Sequence, residues 1–389
     1  MKRQILVSCG EASGDVYAGE LVRQLRSLDA SLHYFGLGGD NLAEAGAEII
    51  VRLDEVSVIG LVEVVAKLPG LRRAMARLAD TASRRRPQMA VLIDFSGFHL
   101  RLARRLAALD IPIVYYVSPQ VWAWRRGRVK VIRETARKML VILPFEEPFY
   151  RAERVPVRFV GHPLVDLVRS REGREAFCRR LGLDPARPLF AVMPGSRRRE
   201  IELHLPILGP AISRMAERRP DLQFVLLKAP TIDRSLLEPA FDLPVKIAEH
   251  STYEGLTHSA AAIVASGTAT VEAALAGTPM VVVYRVGRLS YALGKPLVRV
   301  PHYAMVNLIA GRSVVPELIQ GRMTEEAVAE SALRLVEDPE AADEMRRGLA
   351  EVRARLGGGG ASRRAAEEIL SLLSTDGEED RHLQSSLAR

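Results

Sequence analysis

The feature that most constrains this chain is an alternation. Short, almost wholly apolar runs are separated by stretches in which apolar residues recur at helical spacing, such as Leu21, Val22, Leu25 and Leu28. In the first half the runs are Ile5–Cys9, His33–Leu37, Met89–Asp94, Ile113–Val117, Met139–Leu143 and Arg158–Val160. In the second half they are Phe190–Met193, Phe224–Leu227, Val245–Ala248, Ala262–Ala265 and Met280–Val283. Strands this apolar have no face for water, so they belong in parallel sheets covered by helices on both sides. A chain of 389 residues is long enough for two such domains. The expected fold class is therefore α/β, with two doubly wound Rossmann-like domains.

The boundary is expected at Gly161–His162–Pro163, where a strand ends and a polar segment begins, giving domains 1–163 and 164–345. Residues 346–374 are expected to be helical. A glycine stop at Gly357–Gly360 introduces the last helix, Ala361–Leu373, which either packs back on the N-terminal domain or exchanges with a second copy in a homodimer. The polar tail 375–389 is expected to be disordered.

In open parallel sheets, ligands bind beyond the carboxyl ends of the strands, so the strand-to-helix loops carry the candidate chemistry. The first, Cys9–Asp15, reads C-G-E-A-S-G-D. Either Ser13 or Asp15 caps a helix there, or the loop lines a site with Glu11 directed into it. It has neither dinucleotide-fingerprint spacing nor a Walker A lysine. In the second, Asp94 ends an apolar strand. It is either a helix cap or a general base whose pKa burial raises toward neutrality. The third, 115–125, holds both tryptophans, Trp122 and Trp124, beside Ser118. It suits a flat or sugar-like ligand, or core packing.

The fourth loop places Gly195, Ser196 and Arg197 at a helix start, a cradle for an oxyanion or phosphate, whereas Arg198 and Arg199 fit a solvated turn. In the fifth, Gly267 and Thr268 open another helix, and Glu272 one turn on suits ribose hydroxyls. The alternative there is that small residues let the helix pack closely on its sheet. Two anion-binding helix starts in one half imply a diphosphate. The sequence contains no Asp-x-Asp and no His/Cys cluster at metal spacing, so no metal is called for.

The formal charge is +8, and 48 of the 55 basic residues are arginine, a residue suited to bidentate phosphate contacts. The basic residues are spread out and carry no recognition motif, so nucleic acid is not an expected partner. One segment differs. Val58, Ile59, Leu61, Val62, Val64, Val65, Leu68 and Leu71 form a broad apolar patch beside Lys67, Arg72, Arg73 and Arg77, with Pro69–Gly70 interrupting it. It reads as an interfacial membrane contact or as a buried helix with a basic end. No run reaches the roughly 18 residues of a membrane span, and Cys9 and Cys178 make no disulfide framework. The expected place is the cytoplasm, peripheral at the anionic inner face of an inner membrane.

Taken together, these loops resemble those of the lipid-A-disaccharide synthases, glycosyltransferases of the GT-B type, from Ile5 to about Leu373. The resemblance rests on G-E-A-S-G-D (10–15), V-S-P-Q-V-W-A-W-R (117–125), L-P-F-E (143–146), F-V-G-H-P (159–163), P-G-S-R-x-x-E (194–200), S-G-T-A-T-x-E (266–272) and N-L-I-A-G-R (307–312). It implies two domains facing a cleft and transfer of a sugar from UDP-2,3-diacylglucosamine to 2,3-diacylglucosamine 1-phosphate with inversion. The UDP-sugar is a substrate, and no cofactor is implied. By resemblance Asp94 is the general base, Glu11 the glutamate of the first loop, and Arg197 and Asn307 residues of the nucleotide-sugar site. Glu272 is the ribose holder, as in similar GT-B enzymes. Many relatives read I-D-x-P-x-F-N, where this chain has Ser96 and His99, and they often have proline where it has Val306. His99 is an alternative base. The rival readings are another UDP-sugar enzyme, such as a UDP-N-acetylglucosamine 2-epimerase or a peptidoglycan glycosyltransferase, and a catalytically silent UDP-sugar sensor.

Overall fold

The computed structural model describes residues 3–56, 61–123, 126–240, 242–287, 291–292 and 300–387, with 61–67, 126 and 375–387 as backbone only. The chain divides into two units, 1–163 with 357–389, and 164–356.

The first unit is built on a seven-stranded parallel sheet in the order β3-β2-β1-β4-β5-β6-β7. Its strands are β1 (Gln4–Cys9), β2 (His33–Gly38), β3 (Glu48–Arg52), β4 (Met89–Ile93), β5 (Ile113–Tyr116), β6 (Lys138–Val141) and β7 (Val157–Phe159). The second unit holds six parallel strands in the order β10-β9-β8-β11-β12-β13. These are β8 (Leu189–Met193), β9 (Gln223–Lys228), β10 (Val245–Glu249), β11 (Ala261–Ala265), β12 (Met280–Tyr284) and β13 (Glu317–Ile319). Every residue of β4, β5, β8 and β11 is buried, which is why these strands carry no polar alternation. Burying each Val, Ile or Leu side chain contributes about 1.5–3 kcal/mol. Strands β3 and β13 escape an apolar-run reading. One begins and ends on charge, Glu48 and Arg52, and the other has three residues.

In both sheets the strand order reverses next to the first strand of the unit, between β1 and β4 and between β8 and β11. Chains leaving the carboxyl ends of those pairs diverge to opposite sides and open a crevice there.

Three expectations are corrected. The second unit ends at Leu356 rather than at 345, because the helix Pro339–Arg355 packs on the helices Thr268–Ala276 and Met305–Ala310 of its own unit. The last helix runs from Ala361 to Leu387, through the tail expected to be disordered, and no proline interrupts it. The helix Leu61–Arg85 likewise runs through Pro69–Gly70. Its later part serves the core: Ala74, Met75, Leu78 and Ala82 are buried, while Arg72 and Arg73 are exposed and Leu68 is half-buried. Val58 and Ile59 lie outside the described residues, and Leu61, Val62 and Val65 are described as helical backbone only. Among the described residues no helix is long and apolar enough to cross a membrane.

After the glycine stop the last helix packs on its own first unit, against Ala12–Leu28. It buries Ala361, Ala365, Ala366 and Ile369, whose spacing of four, one and three makes one narrow stripe. Its Glu368 receives Lys138 Nζ at 2.5 Å and also pairs with Arg158, and Ser362 Oγ meets Tyr116 OH at 3.3 Å. Replacing Ile369 with Ala should destabilise the first unit by about 2–5 kcal/mol. Both tryptophans belong to that unit, so the urea midpoint of tryptophan fluorescence reads the loss. An unchanged midpoint would contradict this packing.

Candidate active site

The first unit presents its carboxylates at the β1/β4 crevice. Cys9 pairs in register with Ile93, so Gly10 and Asp94 leave the sheet side by side. Asp94 and Phe95 both adopt left-handed backbone, with φ of 52° and 48°. Each such residue costs roughly 1–2 kcal/mol, so the turn persists only because its surroundings hold it. Gly10 is one condition. A Cβ on it would lie 2.0 Å from the Phe95 ring, so the turn needs glycine there. Asp94 is half-buried and Glu11 is exposed. Neither is a side-chain cap at the N-cap position: Phe95 rather than Asp94 stands there for Ser96–Ala107, and Glu11 at that of Ala12–Leu28 makes no side-chain cap bond.

Ser13 and Asp15 do not cap that helix either, because it has already begun at Ala12. Asp15 instead reaches the next loop. Its carboxylate accepts the N–H groups of Gly39 at 2.7 Å and Asn41 at 3.0 Å, at the start of the helix Asp40–Glu44.

His99 is not a base. It is fully buried, with Nδ1 2.8 Å from the Asp94 carbonyl oxygen and Nε2 2.8 Å from Ser8 Oγ. A carbonyl only accepts, so Nδ1 carries the proton and Nε2 accepts from the Ser8 hydroxyl. Both ring nitrogens are committed, and burial pushes the pKa down to about 4.

Ser118 and Trp122, expected at the substrate, are tied internally. Ser118 is buried, bonds to Tyr150 OH at 2.8 Å and donates to the Pro119 carbonyl at 2.9 Å. The Trp122 indole N–H donates to Glu146 Oε1 at 3.0 Å, and the ring meets Phe145 edge-to-face at 4.8 Å. Glu146 is buried and also accepts the Leu143 N–H at 3.1 Å. Desolvation pushes its pKa up to about 7 against those hydrogen bonds. The motifs 117–125 and 143–146 are thus two sides of one polar anchor.

The second unit presents the two glycine-bearing helix starts at the β8/β11 crevice, and there they differ. At the start of Arg198–Arg218 the cradle is already filled. The buried Glu200 accepts the Ser196 and Arg197 N–H groups through Oε2 at 2.9 and 3.2 Å, and the Arg197 guanidinium through Oε1 at 3.1 Å. This is a capping box, and it corrects the reading of Ser196 and Arg197 as backbone donors to a phosphate. Gly195, at φ 138°, is required because a Cβ there would lie 2.6 Å from Glu200 Cβ. The Arg197 side chain remains more than half exposed.

At the start of Thr268–Ala276 the cradle is open. Gly267 has φ 133°, Thr268 is exposed, and no acceptor among the described residues meets the N–H groups of Gly267, Thr268 or Ala269. Glu272, one turn on, is part-buried; desolvation pushes its pKa up to about 7, and a Tyr253 hydrogen bond opposes that.

Two anchors hold these loops. His204 is fully buried; Nδ1 donates to the Pro194 carbonyl at 2.6 Å and Nε2 accepts the Arg285 N–H at 2.9 Å, so it ties the loop after β8 to the loop after β12. Asn307 is also fully buried, and both ends of its carboxamide are used. Its Nδ2 donates to Val315 O at 2.9 Å and Glu317 Oε1 at 2.8 Å, and its Oδ1 accepts the Val314 and Val315 N–H groups at 2.7 and 3.0 Å. Asn307 therefore shapes the loop rather than touching a ligand. Glu317 also accepts the Tyr303 and Ala304 N–H groups, both at 3.0 Å, and the Tyr303 carbonyl accepts Ser266 Oγ at 2.9 Å. The chain of bonds ends beside Gly267.

Sequence reasoning misses Glu146, Glu200, His204 and Glu317 as site residues. Glu200 stands three residues after Arg197, the spacing of a capping box, and that spacing is a signal that could have found it. The other three also bind segments remote from them in sequence, and those bonds leave no local pattern.

Two doubly wound parallel sheets, each with candidate site residues at its reversal of strand order, place this protein in the GT-B class of folds. Solved structures agree. A putative UDP-N-acetylglucosamine 2-epimerase from Listeria monocytogenes superposes with a TM-score of 0.67 at 14% identity, covering 97% of each chain. CalG4, the calicheamicin glycosyltransferase, gives 0.58 at 17% identity, covering 96% of this chain and 98% of its own. The lipid-A-disaccharide synthetase family matches residues 5–369. The lipid-A-disaccharide synthase of Myxococcus xanthus (strain DK1622) is 46% identical over 374 residues, 95% of this chain and 97% of its own length. That of Solibacter usitatus (strain Ellin6076) is 45% identical over 372 residues, again 95% and 97%. The chain belongs to the lipid-A-disaccharide synthase family, glycosyltransferases of lipid A biosynthesis.

The buried imidazole gives a pH test. The folded-state pKa of His99 lies below the unfolded value of 6.5, so above pH 6.5 neither state takes up a proton there. Between 6.5 and about 4 only the unfolded chain does, and stability falls by up to about 1.4 kcal/mol per pH unit. The melting temperature of His99→Asn should therefore fall less steeply than that of the parent across this range. Parallel curves would contradict the neutral assignment.

Proposed function

We propose that this protein transfers the diacylglucosamine of UDP-2,3-diacylglucosamine to the 6-hydroxyl of 2,3-diacylglucosamine 1-phosphate. The product is the β-1,6-linked disaccharide 1-phosphate, and UDP leaves. Family membership supports the reaction class, and one observation carries the division of labour. Carboxylates stand at the strand-order reversal of the first sheet, and an open helix N-terminus with a half-exposed arginine stands at that of the second.

In the proposed step the Asp94 carboxylate takes the proton of the 6-hydroxyl as that oxygen attacks the anomeric carbon. The bond from that carbon to the β-phosphate oxygen of the donor breaks on the opposite face. A single displacement then converts the α linkage of the donor to β, through a transition state with oxocarbenium character. The charge appearing on UDP falls on the N–H groups of Gly267 and Thr268 and on the Arg197 guanidinium. Glu200 supports this arrangement by filling its own helix start and steering the Arg197 side chain, which meets the diphosphate from its exposed side. Glu272 takes the ribose hydroxyls, and Glu11 is the second carboxylate beside Asp94. Asn307 acts through the loop it shapes. The proposal includes no resident metal ion or cofactor, since the donors named suffice for the leaving charge.

The decisive assay supplies both acylated sugars and detects the disaccharide 1-phosphate by mass. Asp94→Asn should lower kcat by about a thousandfold while UDP binding stays within about twofold. Full activity in that variant would remove Asp94 as the base. A product from UDP-N-acetylglucosamine alone would favour the epimerase-like rival, whose fold this chain shares.

We further propose that the protein acts at the anionic cytoplasmic face of the inner membrane, docking through the Leu68–Arg73 stretch with its exposed Arg72 and Arg73. Replacing both arginines with Glu should weaken co-sedimentation with phosphatidylglycerol vesicles at least about thirtyfold at low salt, at about 1 kcal/mol per basic residue removed. Unchanged binding would place the docking surface elsewhere.

A further inference from the structure

The half-buried Asp94 emerges from a left-handed turn that it shares with Phe95, and two hydrogen bonds fix its main chain. Its N–H donates to the Val117 carbonyl at 3.2 Å, at the end of the neighbouring strand β5. Its carbonyl accepts from His99 Nδ1 at 2.8 Å. His99 in turn accepts from Ser8, a fully buried residue of β1 on the other side of β4. The turn is thus clasped from both flanking strands. The ring of Phe95 completes it, edge-on to His99 at 5.6 Å and stacked on Phe98 at 5.2 Å.

We propose that His99, backed by Ser8, is a positioning residue for Asp94: by tying the Asp94 carbonyl it holds the left-handed turn and gives the carboxylate one direction. This rests on the reading of Asp94 as the base. The geometry gives the imidazole a definite job. It must supply one donor to a carbonyl and one acceptor to a hydroxyl, on opposite sides of one rigid ring. A carboxamide also offers one donor and one acceptor, whereas an alkyl group offers neither. With the carbonyl released, the turn can relax to ordinary backbone and the carboxylate swings away. Misplacement of a reacting group by about 1 Å is worth about a hundredfold in rate.

The experiment measures kcat and KM for both acylated sugars in His99→Leu, His99→Asn and Ser8→Ala, with UDP affinity and melting temperature alongside. His99→Leu should lower kcat about a hundredfold, with KM and UDP affinity within about threefold. His99→Asn should recover to within about fivefold of the parent, and Ser8→Ala should fall between them. In an Asp94→Asn background, His99→Leu should cause no further loss, because its effect passes through the missing carboxylate. Three results overturn the proposal: a folded His99→Leu with kcat within about twofold of the parent, a loss that multiplies with that of Asp94→Asn, or a failure of His99→Asn to recover activity. If His99→Leu does not fold, His99→Asn and Ser8→Ala decide: activity near parent in the first with a several-fold kcat loss in the second supports the clasp, and parent kcat in Ser8→Ala overturns it. An inactive Asp94→Asn beside an unimpaired His99→Leu sinks the clasp alone. A fully active Asp94→Asn sinks the base reading, and the clasp with it.

Discussion

A parallel strand satisfies its backbone only as far as its ladder runs. Beyond the carboxyl end the chain must find other partners for its N–H and C=O groups, and those groups are too costly to leave bare when buried. Every loop to which the proposed reaction assigns a role leaves such an end. The loops therefore depend on polar side chains brought to them from elsewhere: His99 and Ser8 for the turn at Asp94, Glu146 for the segment around Trp122, Glu200 and His204 for the loop after β8, and Asn307 with Glu317 for the segment before β13. Each anchor is buried or nearly so, and each is neutral or internally paired, which keeps the cost of its burial low.

This view changes what the motif residues are for. Ser118, Trp122 and Asn307 all sit in segments that resemble the family, yet their polar side-chain atoms bond within the protein. They shape the site. The groups that meet a ligand in the proposed reaction are fewer: the Asp94 and Glu11 carboxylates, the Arg197 guanidinium, the helix start at Gly267 and Glu272. A short set of this kind is what a sugar transfer needs, since one base and one seat for the leaving charge suffice.

Much of the fold was legible because strands buried on both faces must be apolar along their whole length, and each apolar run read from the sequence is a strand in the structure, with ends that agree to about a residue or two. Asp94 was legible for a related reason, since a carboxylate directly after such a run has to sit at the sheet edge. The strands β3 and β13 were not, because edge position and shortness remove the apolar run. The inward hydrogen bonds were not legible either. Trp122 and Glu146 stand 24 residues apart and Ser8 and His99 stand 91 apart, so only the topology brings them together. The tail after Ser374 is polar enough to suggest disorder, yet charge of both signs without proline is compatible with the helix that forms there.

The claim on which this account turns is that the leaving diphosphate sits at the open helix start after β11, while the start after β8 is closed by Glu200. Backbone amide NMR of the full chain, titrated with UDP, tests it directly. The account requires large shifts at Gly267, Thr268 and Ala269, with smaller ones at Ser196 and Arg197. Saturating UDP that leaves residues 267–269 unmoved would contradict it.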